Sequence, residues 1–442
     1  MLLKLRLTKP QRSHILNFME GLLICEGNKT LSTINRLLLE PLHPSSMADF
    51  FTYSPWDDDH VRNQFQKVLI RWATEDKQAN LFKPIILISI DDSLSKKPKE
   101  SKHFEPVGWH FDASEGKAYG HGVSFVTMHL QYGNRSVPIN WRIYLKEETV
   151  RRLNCQYTQK ISFKSKMILA MEILKEIQPL LPKGYVVYVL FDSWYASNKL
   201  ITFCRKNNWH VICALKSNRR FQRKRLSRVA CYVRHRDLTR VLVDSANTST
   251  LYWTCLKRGK LKGVTSEVDV IISKRHPRDK RPEFFLCTDA SLSVKKALSL
   301  YTRRWAIEAD YLYLKSRLGL GDFRLRSMEG INRYFTLTFL TLAYLSWRKA
   351  EEGIDTLSDV IAVHRQEQYE KMLRAFGRRV LEEQSVESAL NSFLPKVALL
   401  LSLIVSLNSF LRSEDISIFK EQLKKYLLVQ ILSNFAKLQY NY

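Results

Sequence analysis

The stretch Tyr301-Thr-Arg-Arg-Trp-Ala-Ile-Glu308-Ala-Asp-Tyr-Leu-Tyr-Leu-Lys315 contains neither Gly nor Pro and reads as one helix. At about 100° per residue, Arg304, Glu308 and Lys315 fall roughly 300°, 340° and 320° from Tyr301. A phenol, a guanidinium, a carboxylate and an ammonium would then share one face. On the same wheel Trp305 and Leu312 lie at roughly 40° and 20° and are expected to point into a core. Polar groups on a half-buried stripe are costly unless they have partners. One reading is an ordinary helix with an Arg304–Glu308 pair at i, i+4 spacing. The other is a metal-binding Glu flanked by phosphate-binding cations, and it demands further carboxylates upstream, at the ends of buried strands.

Two stretches meet that demand. After Pro84 the chain runs Ile-Ile-Leu-Ile-Ser-Ile-Asp91-Asp92-Ser93, a continuous apolar, β-branched segment ending in two carboxylates. The device recurs in Tyr185-Val-Val-Tyr-Val-Leu-Phe-Asp192, again with Asp at the carboxyl end, where open α/β sheets place their sites. Between them, residues 120–132 and 136–145 read as strands joined by a Gly133-Asn134 hairpin turn. Residues 163–177 form an amphipathic helix stopped before Pro179; a helix over 193–207 and a strand over 209–216 follow. The expected order is β-β-β-α-β-α-β, with the first three strands antiparallel neighbours. From 216 to 283 the texture changes to short alternating segments (229–233, 250–256, 267–273) broken by Gly259, Gly263 and Pro277, a strand-rich insertion, before residues 284–288 return to a strand.

The composition says what kind of partner to expect. The 442 residues are 45% hydrophobic and 11% aromatic, ample for a globular core, and 70 Lys and Arg against 43 Asp and Glu leave a net charge of +27. A polyanion is the natural partner. Residues 216–240 concentrate the charge, with ten Lys/Arg against one Asp, interleaved with Phe221, Tyr232 and His235. Lys216, Arg219, Arg220 and Arg223 are the candidates there for contact with a phosphate backbone. Seven scattered cysteines without a C-x-x-C pair indicate neither a disulfide framework nor a zinc site and fit a reducing cytoplasm. No secretory signal opens the chain, and the apolar runs 335–347 and 397–407 fall short of the roughly 18 residues a membrane span needs. Residues 1–80 read as a helical N-terminal module, with helices over 30–39 and from 47, a Ser45 or Ser46 cap, and Asp57-Asp-Asp as favourable charge in a first turn. Such a module fits either helix-turn-helix DNA binding or plain packing. Residues 351–442 read as helical, interrupted near Gly377 and Pro395.

Ile90-Asp91-Asp-Ser93, Phe191-Asp192-Ser-Trp-Tyr, and Tyr301-x2-Arg304-x3-Glu308-x6-Lys315 followed by Leu318-Gly-Leu together resemble the DDE transposases of bacterial insertion sequences. The likeness is closest to the cut-and-paste group with the tyrosine, arginine, glutamate and lysine signature. It implies an RNase H-like α/β catalytic domain over 81–350, with the insertion over 216–283 before its last acidic helix. It implies Asp91, Asp192 and Glu308 as ligands of two Mg²⁺, for which Mn²⁺ can substitute, and Tyr301, Arg304 and Lys315 as holders of DNA-end phosphates. Asp92, next to Asp91 but on the other strand face, is the rival first ligand. Trp253, in the insertion, is a candidate to receive a flipped base. The expected partner is double-stranded DNA, both transposon ends and target, bound by a homodimer in a prokaryotic cytoplasm. A nuclease of the same fold that joins no strands, or a domesticated DNA-binding protein, are the alternatives.

Overall fold

A computed structural model describes residues 5–75, 84–112, 118–158, 160–244 and 248–383. By contacts the chain divides into two compact units, residues 1–364 and 365–442, and every site residue named above falls in the first.

Four helices open the chain: α1 (Lys9–Ile24), α2 (Leu31–Leu37), α3 (Ser46–Thr52) and α4 (Asp58–Thr74). Thr8 and Gln11 form a capping box on α1, Thr30 caps α2, and the Asp57 side chain accepts from the His60 amide at the head of α4. Ser45 precedes α3 without a side-chain cap bond. Then come β1 (Ile85–Lys96), β2 (Gly108–Asp112), β3 (Ala118–Tyr132) and β4 (Arg135–Tyr144), and helices α5 (Glu147–Gln156) and α6 (Lys166–Ile177). They lead into β5 (Val186–Phe191), α7 (Asn198–Lys206) and β6 (His210–Leu215). The short β2 was not expected. The β3–β4 hairpin turns where Gly133-Asn134 predicts, with Gly133 at φ 59°.

The region 216–283 contains a small hairpin of β7 (Arg220–Phe221) and β8 (Lys224–Arg225), helix α8 (Leu226–Cys231), and the longer β9 (Thr239–Asp244), β10 (Ser249–Lys260) and β11 (Glu267–Lys274). The strand expected over 229–233 is mostly the end of α8. β12 (Glu283–Cys287) closes the region, followed by α9 (Val294–Thr302), α10 (Trp305–Leu312), α11 (Met328–Glu352) and α12 (Leu357–Glu383). Gly377 lies inside α12, which passes it without a break; the expected interruption at Pro395 lies outside the described residues.

The main sheet runs β2-β3-β1-β5-β6-β12-β11-β10-β9, with β4 paired to β3. β1 is antiparallel to β3 and parallel to β5, and β5 is parallel to β6. This is the RNase H-like order that the sequence predicts, with the two Asp-bearing strands side by side. The strands of the insertion do not fold apart from it: β12 pairs antiparallel with β6, and β11, β10 and β9 extend the same sheet.

Strand alternation sorts the core onto two faces. Ile86, Ile88 and Ile90 of β1, with Val187, Val189 and Phe191 of β5, pack under α6 and α7. Leu87, Tyr188 and Leu190 face the other way, toward Ala297, Leu298 and Leu300 of α9. A third cluster surrounds α11, whose Phe335 and Phe339 meet Phe125 of β3 and whose Phe339 also stacks on Trp141 of β4, while Tyr334 meets Phe18 and Phe51. Phe18 of α1, Phe51 of α3 and Trp56 belong to this same cluster. Among the described residues, the apolar faces of the N-terminal helices thus join the cluster built on α11 and the sheet. No helix among the described residues is long and apolar enough to cross a membrane; residues 335–347 are part of buried α11, and 397–407 lie outside the described residues.

Candidate active site

Asp91 does not end its strand as expected: β1 runs on to Lys96, held by its pairing with β3, while its pairing with the parallel neighbour β5 stops at Ile90, in register with Phe191. The next residues along each strand are Asp91 and Asp192, so the two carboxylates stand side by side. Because Ile90 and Phe191 face α6 and α7, both Asp residues face α9 and α10. The Asp192 carboxylate accepts from the Trp194 amide at 2.9 Å and the Tyr195 amide at 3.2 Å, which fixes it at the strand-to-helix turn. Asp92 points to the opposite face, where Lys166 meets it at 2.5 Å and the Tyr195 hydroxyl donates to it at 2.9 Å. The rival ligand is thus fully engaged elsewhere.

The third carboxylate comes from α10, and here the single-helix expectation fails. The chain bends at Arg303 and Arg304: α9 ends at Thr302, α10 starts at Trp305, and residues 313–317 widen into a π turn. The break rotates the buried stripe. Ile307, Asp310, Tyr311 and Leu314 face the core, whereas Trp305 is 69% and Leu312 64% exposed, the reverse of the expected orientation. Arg304 and Glu308 do come together: the Arg304 guanidinium donates to Asp91 Oδ2 at 2.5 Å and to Glu308 Oε1 at 3.3 Å. Tyr301 lies beside Arg304, its ring 6.0 Å from Cζ. Lys315 does not join them. It lines a separate cavity of about 800 Å³ with Lys96, Lys97, Arg324 and Arg326, its ammonium 5.8 Å from the Tyr311 ring.

The electrostatics follow from burial. Burial, opposed by Arg304 and reinforced by Asp192 and Glu308, pushes the Asp91 carboxyl up to about 8. Burial also raises Asp192, with the two backbone amides pulling it back. Burial lowers the Arg304 guanidinium, but Asp91, Tyr301 and Glu308 outweigh it and hold the group above its ordinary value. Burial pushes the Tyr301 hydroxyl up to about 12 despite Arg304. Burial disfavours the ionised carboxylates around Arg304, and a divalent cation at the site would favour them. The donor set, all carboxylate oxygen, suits a hard ion such as Mg²⁺ or Mn²⁺. Among the described residues no three His, Cys, Asp or Glu side chains are gathered into a ready metal cage. Arg304, wedged between Asp91 and Glu308, sits where the positive charge is needed.

Two supporting contacts were not legible in the sequence. On the face of α10 turned to the sheet, Asp310 pairs with His129 of β3, whose other ring nitrogen lies 2.7 Å from the Ser136 hydroxyl of β4. One turn along, Tyr311 and Thr127 share a hydrogen bond of 2.5 Å. Both side chains of α10 are buried, so these bonds set the height of the helix over β1, and hence of Glu308.

In the insertion, Lys216, Arg220 and Arg223 are exposed, while Arg219 is half-buried and donates to Asn198 Oδ1 at 2.8 Å. Of the aromatics interleaved with these cations, Phe221 is fully buried in the core and Tyr232 is exposed. Trp253 is half-buried on β10, under Arg240 at 4.7 Å and beside His235 at 5.4 Å.

Asp91 and Asp192 on adjacent parallel strands of an RNase H-like sheet, with Glu308 joined to Asp91 through Arg304, form an arrangement that suits a nuclease of the DDE type. A family model described as DDE superfamily endonuclease matches residues 3–242, more than half of the chain, and the chain belongs to that family. The match takes in Asp91 and Asp192 and stops before Glu308. No curated protein matches the chain.

Proposed function

We propose that this DDE endonuclease is a DNA transposase of the cut-and-paste kind, which cleaves the ends of its element and joins them to target DNA. The observation that carries the reading is the placement of Asp91 and Asp192 on adjacent parallel strands, with Arg304 bridging Asp91 and Glu308. Asp91, Asp192 and Glu308 would hold Mg²⁺ or Mn²⁺, which when bound activates the attacking oxygen and stabilises the leaving one. Arg304, which pairs with Asp91 and Glu308 here, would offer its guanidinium to a DNA phosphate if those carboxylates held a metal. Tyr301 stays a neutral hydroxyl at physiological pH and donates to a phosphate oxygen without adding charge. Lys315 and the basic cavity it lines take the backbone farther along, and Lys216, Arg219, Arg220 and Arg223 extend the basic track over the insertion. Trp253, half-buried under Arg240, offers a face on which a flipped base could stack. The exposed sides of α1–α4 add DNA contacts, and a homodimer brings two ends together.

The test is a joining assay. An end-labelled duplex selected for binding is incubated with the full chain, supercoiled plasmid and Mg²⁺ or Mn²⁺. Label transferred to the plasmid supports a transposase. Cleavage without transfer at any metal concentration assigns a nuclease that does not join strands. On a denaturing gel, a closed hairpin end that weakens in Trp253→Ala supports the stacking role.

A further inference from the structure

The β7–β8 hairpin turns through Gln222 and Arg223, at φ 45° and 67°. A two-residue loop with both φ values positive is the turn that Asn-Gly makes without strain. Among the described residues the only other non-glycine with positive φ is Asn208, a residue type that tolerates it. Two long side chains are held in a conformation that favours glycine, at the tip of a two-stranded ribbon.

The surroundings fix this tip rigidly. Phe221 is fully buried and bridges to Leu261. The Leu226 amide donates to the Arg219 carbonyl at 2.9 Å and the Lys262 amide to the Arg220 carbonyl at 2.8 Å. Gln222 explains its own presence: its amide donates to the Lys260 carbonyl at 2.9 Å, its Nε2 to the Arg258 carbonyl at 3.3 Å, and its side chain lies over Gly259, where a Cβ would come within 2.4 Å. Arg223 has no such explanation. It is exposed and makes no hydrogen bond, ion pair or ring contact among the described residues. It shares a groove with Arg220, Lys260 and Lys262, and Glu267 is the one acid there.

Contact with phosphate needs only charge, which those three neighbours supply from unstrained backbone. The fixed backbone sets the direction in which the Arg223 side chain leaves the tip, and its fork, unengaged among the described residues, adds to charge a two-pronged donor. We propose that Arg223 is a sequence-reading residue: the ribbon tip enters the major groove, and the Arg223 fork donates to the O6 and N7 edge of a guanine. Arg220, Lys260 and Lys262 hold the flanking phosphates. The inference rests on the DNA-transposase reading above and adds to it the element that discriminates sequence.

The experiment is a binding selection from a random-sequence duplex pool with the full chain, in parallel for wild type, Arg223→Lys, Arg223→Gly and Lys260→Ala. Wild type yields a consensus with a guanine position and prefers it over the guanine-to-adenine duplex by about ten- to a hundred-fold. Arg223→Lys, which keeps the charge and loses the fork, discriminates by no more than about two-fold at that position, whatever its affinity for a random duplex. Arg223→Gly loses the same preference while its melting temperature rises, since the strain is relieved and folding is intact. Lys260→Ala keeps the consensus and weakens all duplexes alike. A consensus unchanged in both Arg223 variants, or a wild-type consensus without guanine, overturns the proposal. Failure of wild type to bind any duplex overturns the DNA reading itself, a result distinct from an unchanged consensus.

Discussion

Replacing His129 by Ala removes the partner on which buried Asp310 depends. His129 is 2% and Asp310 5% exposed, and the imidazole is the one group Asp310 pairs with among the described residues. Leaving a buried carboxylate without its partner costs about 3–5 kcal/mol. Unfolding entropy of about 2.1 cal/mol/K per residue over the roughly 360 residues of the first unit turns this into a drop of about 4–7 °C in Tm. The loss depends on pH in a set direction. Burial already raises the Asp310 carboxyl, and His129 opposes that rise. Without His129 the folded state keeps a proton on Asp310 that the unfolded chain releases, so the variant loses stability as pH rises from about 5 to 8. Thermal unfolding by circular dichroism, at both pH values, measures it. Replacing both residues by Leu removes the stranded charge and should recover at least about 2 kcal/mol relative to His129→Ala. A Tm within about 1 °C of wild type in His129→Ala, or a double variant no better than the single one, refutes the claim that this pair holds α10 in place.

Lys97 gives a second pH signature. Burial lowers its ammonium to about 8 from an ordinary 10.5. The folded chain sheds this proton first, so above pH 8 the unfolded state binds more protons and wild type gains on Lys97→Met by about 1.4 kcal/mol per pH unit up to about 10.5; chemical denaturation at pH 7.5 and 9.5 reads the difference, and a constant gap would contradict it. Arg304→Ala and Lys315→Ala should each slow strand transfer and weaken retention of cleaved ends, whereas Lys175→Ala, on the far side of the sheet, should not; equal small effects at all three positions would remove the phosphate-clamp assignment.

The sheet was legible because its signals are local. The β-branched runs into Asp91 and Asp192 mark buried parallel strands, and Gly133 marks the hairpin, so the neighbourhood of β1 and β5 follows from pattern and topology. The helix wheel over 301–315 failed because it assumed a phase that the bend at Arg303 and Arg304 breaks. Trp305 and Leu312 went to solvent, while Arg304 still reached Glu308 because four residues separate them on one short helix. Phe221 stands among cations in the sequence, and its burial follows from the bridge to Leu261, a contact forty residues away. His129 and Asp310 carry no motif, and only the crossing of α10 over β3 brings them together. The positive φ of Gln222 and Arg223 had no sequence signal, since neither residue type announces a left-handed turn.

The most direct test of the central claim is the cleavage rate of a selected duplex by Asp91→Asn, Asp192→Asn and Glu308→Gln with Mg²⁺ and with Mn²⁺, alongside Asp92→Asn and a gel-shift for each. If the three facing carboxylates perform the chemistry, each of the first three variants binds the duplex as wild type does and cleaves it below detection, while Asp92→Asn, whose carboxylate faces Lys166 and Tyr195, still cleaves measurably. Cleavage at the wild-type rate by Asp192→Asn or Glu308→Gln would contradict the account.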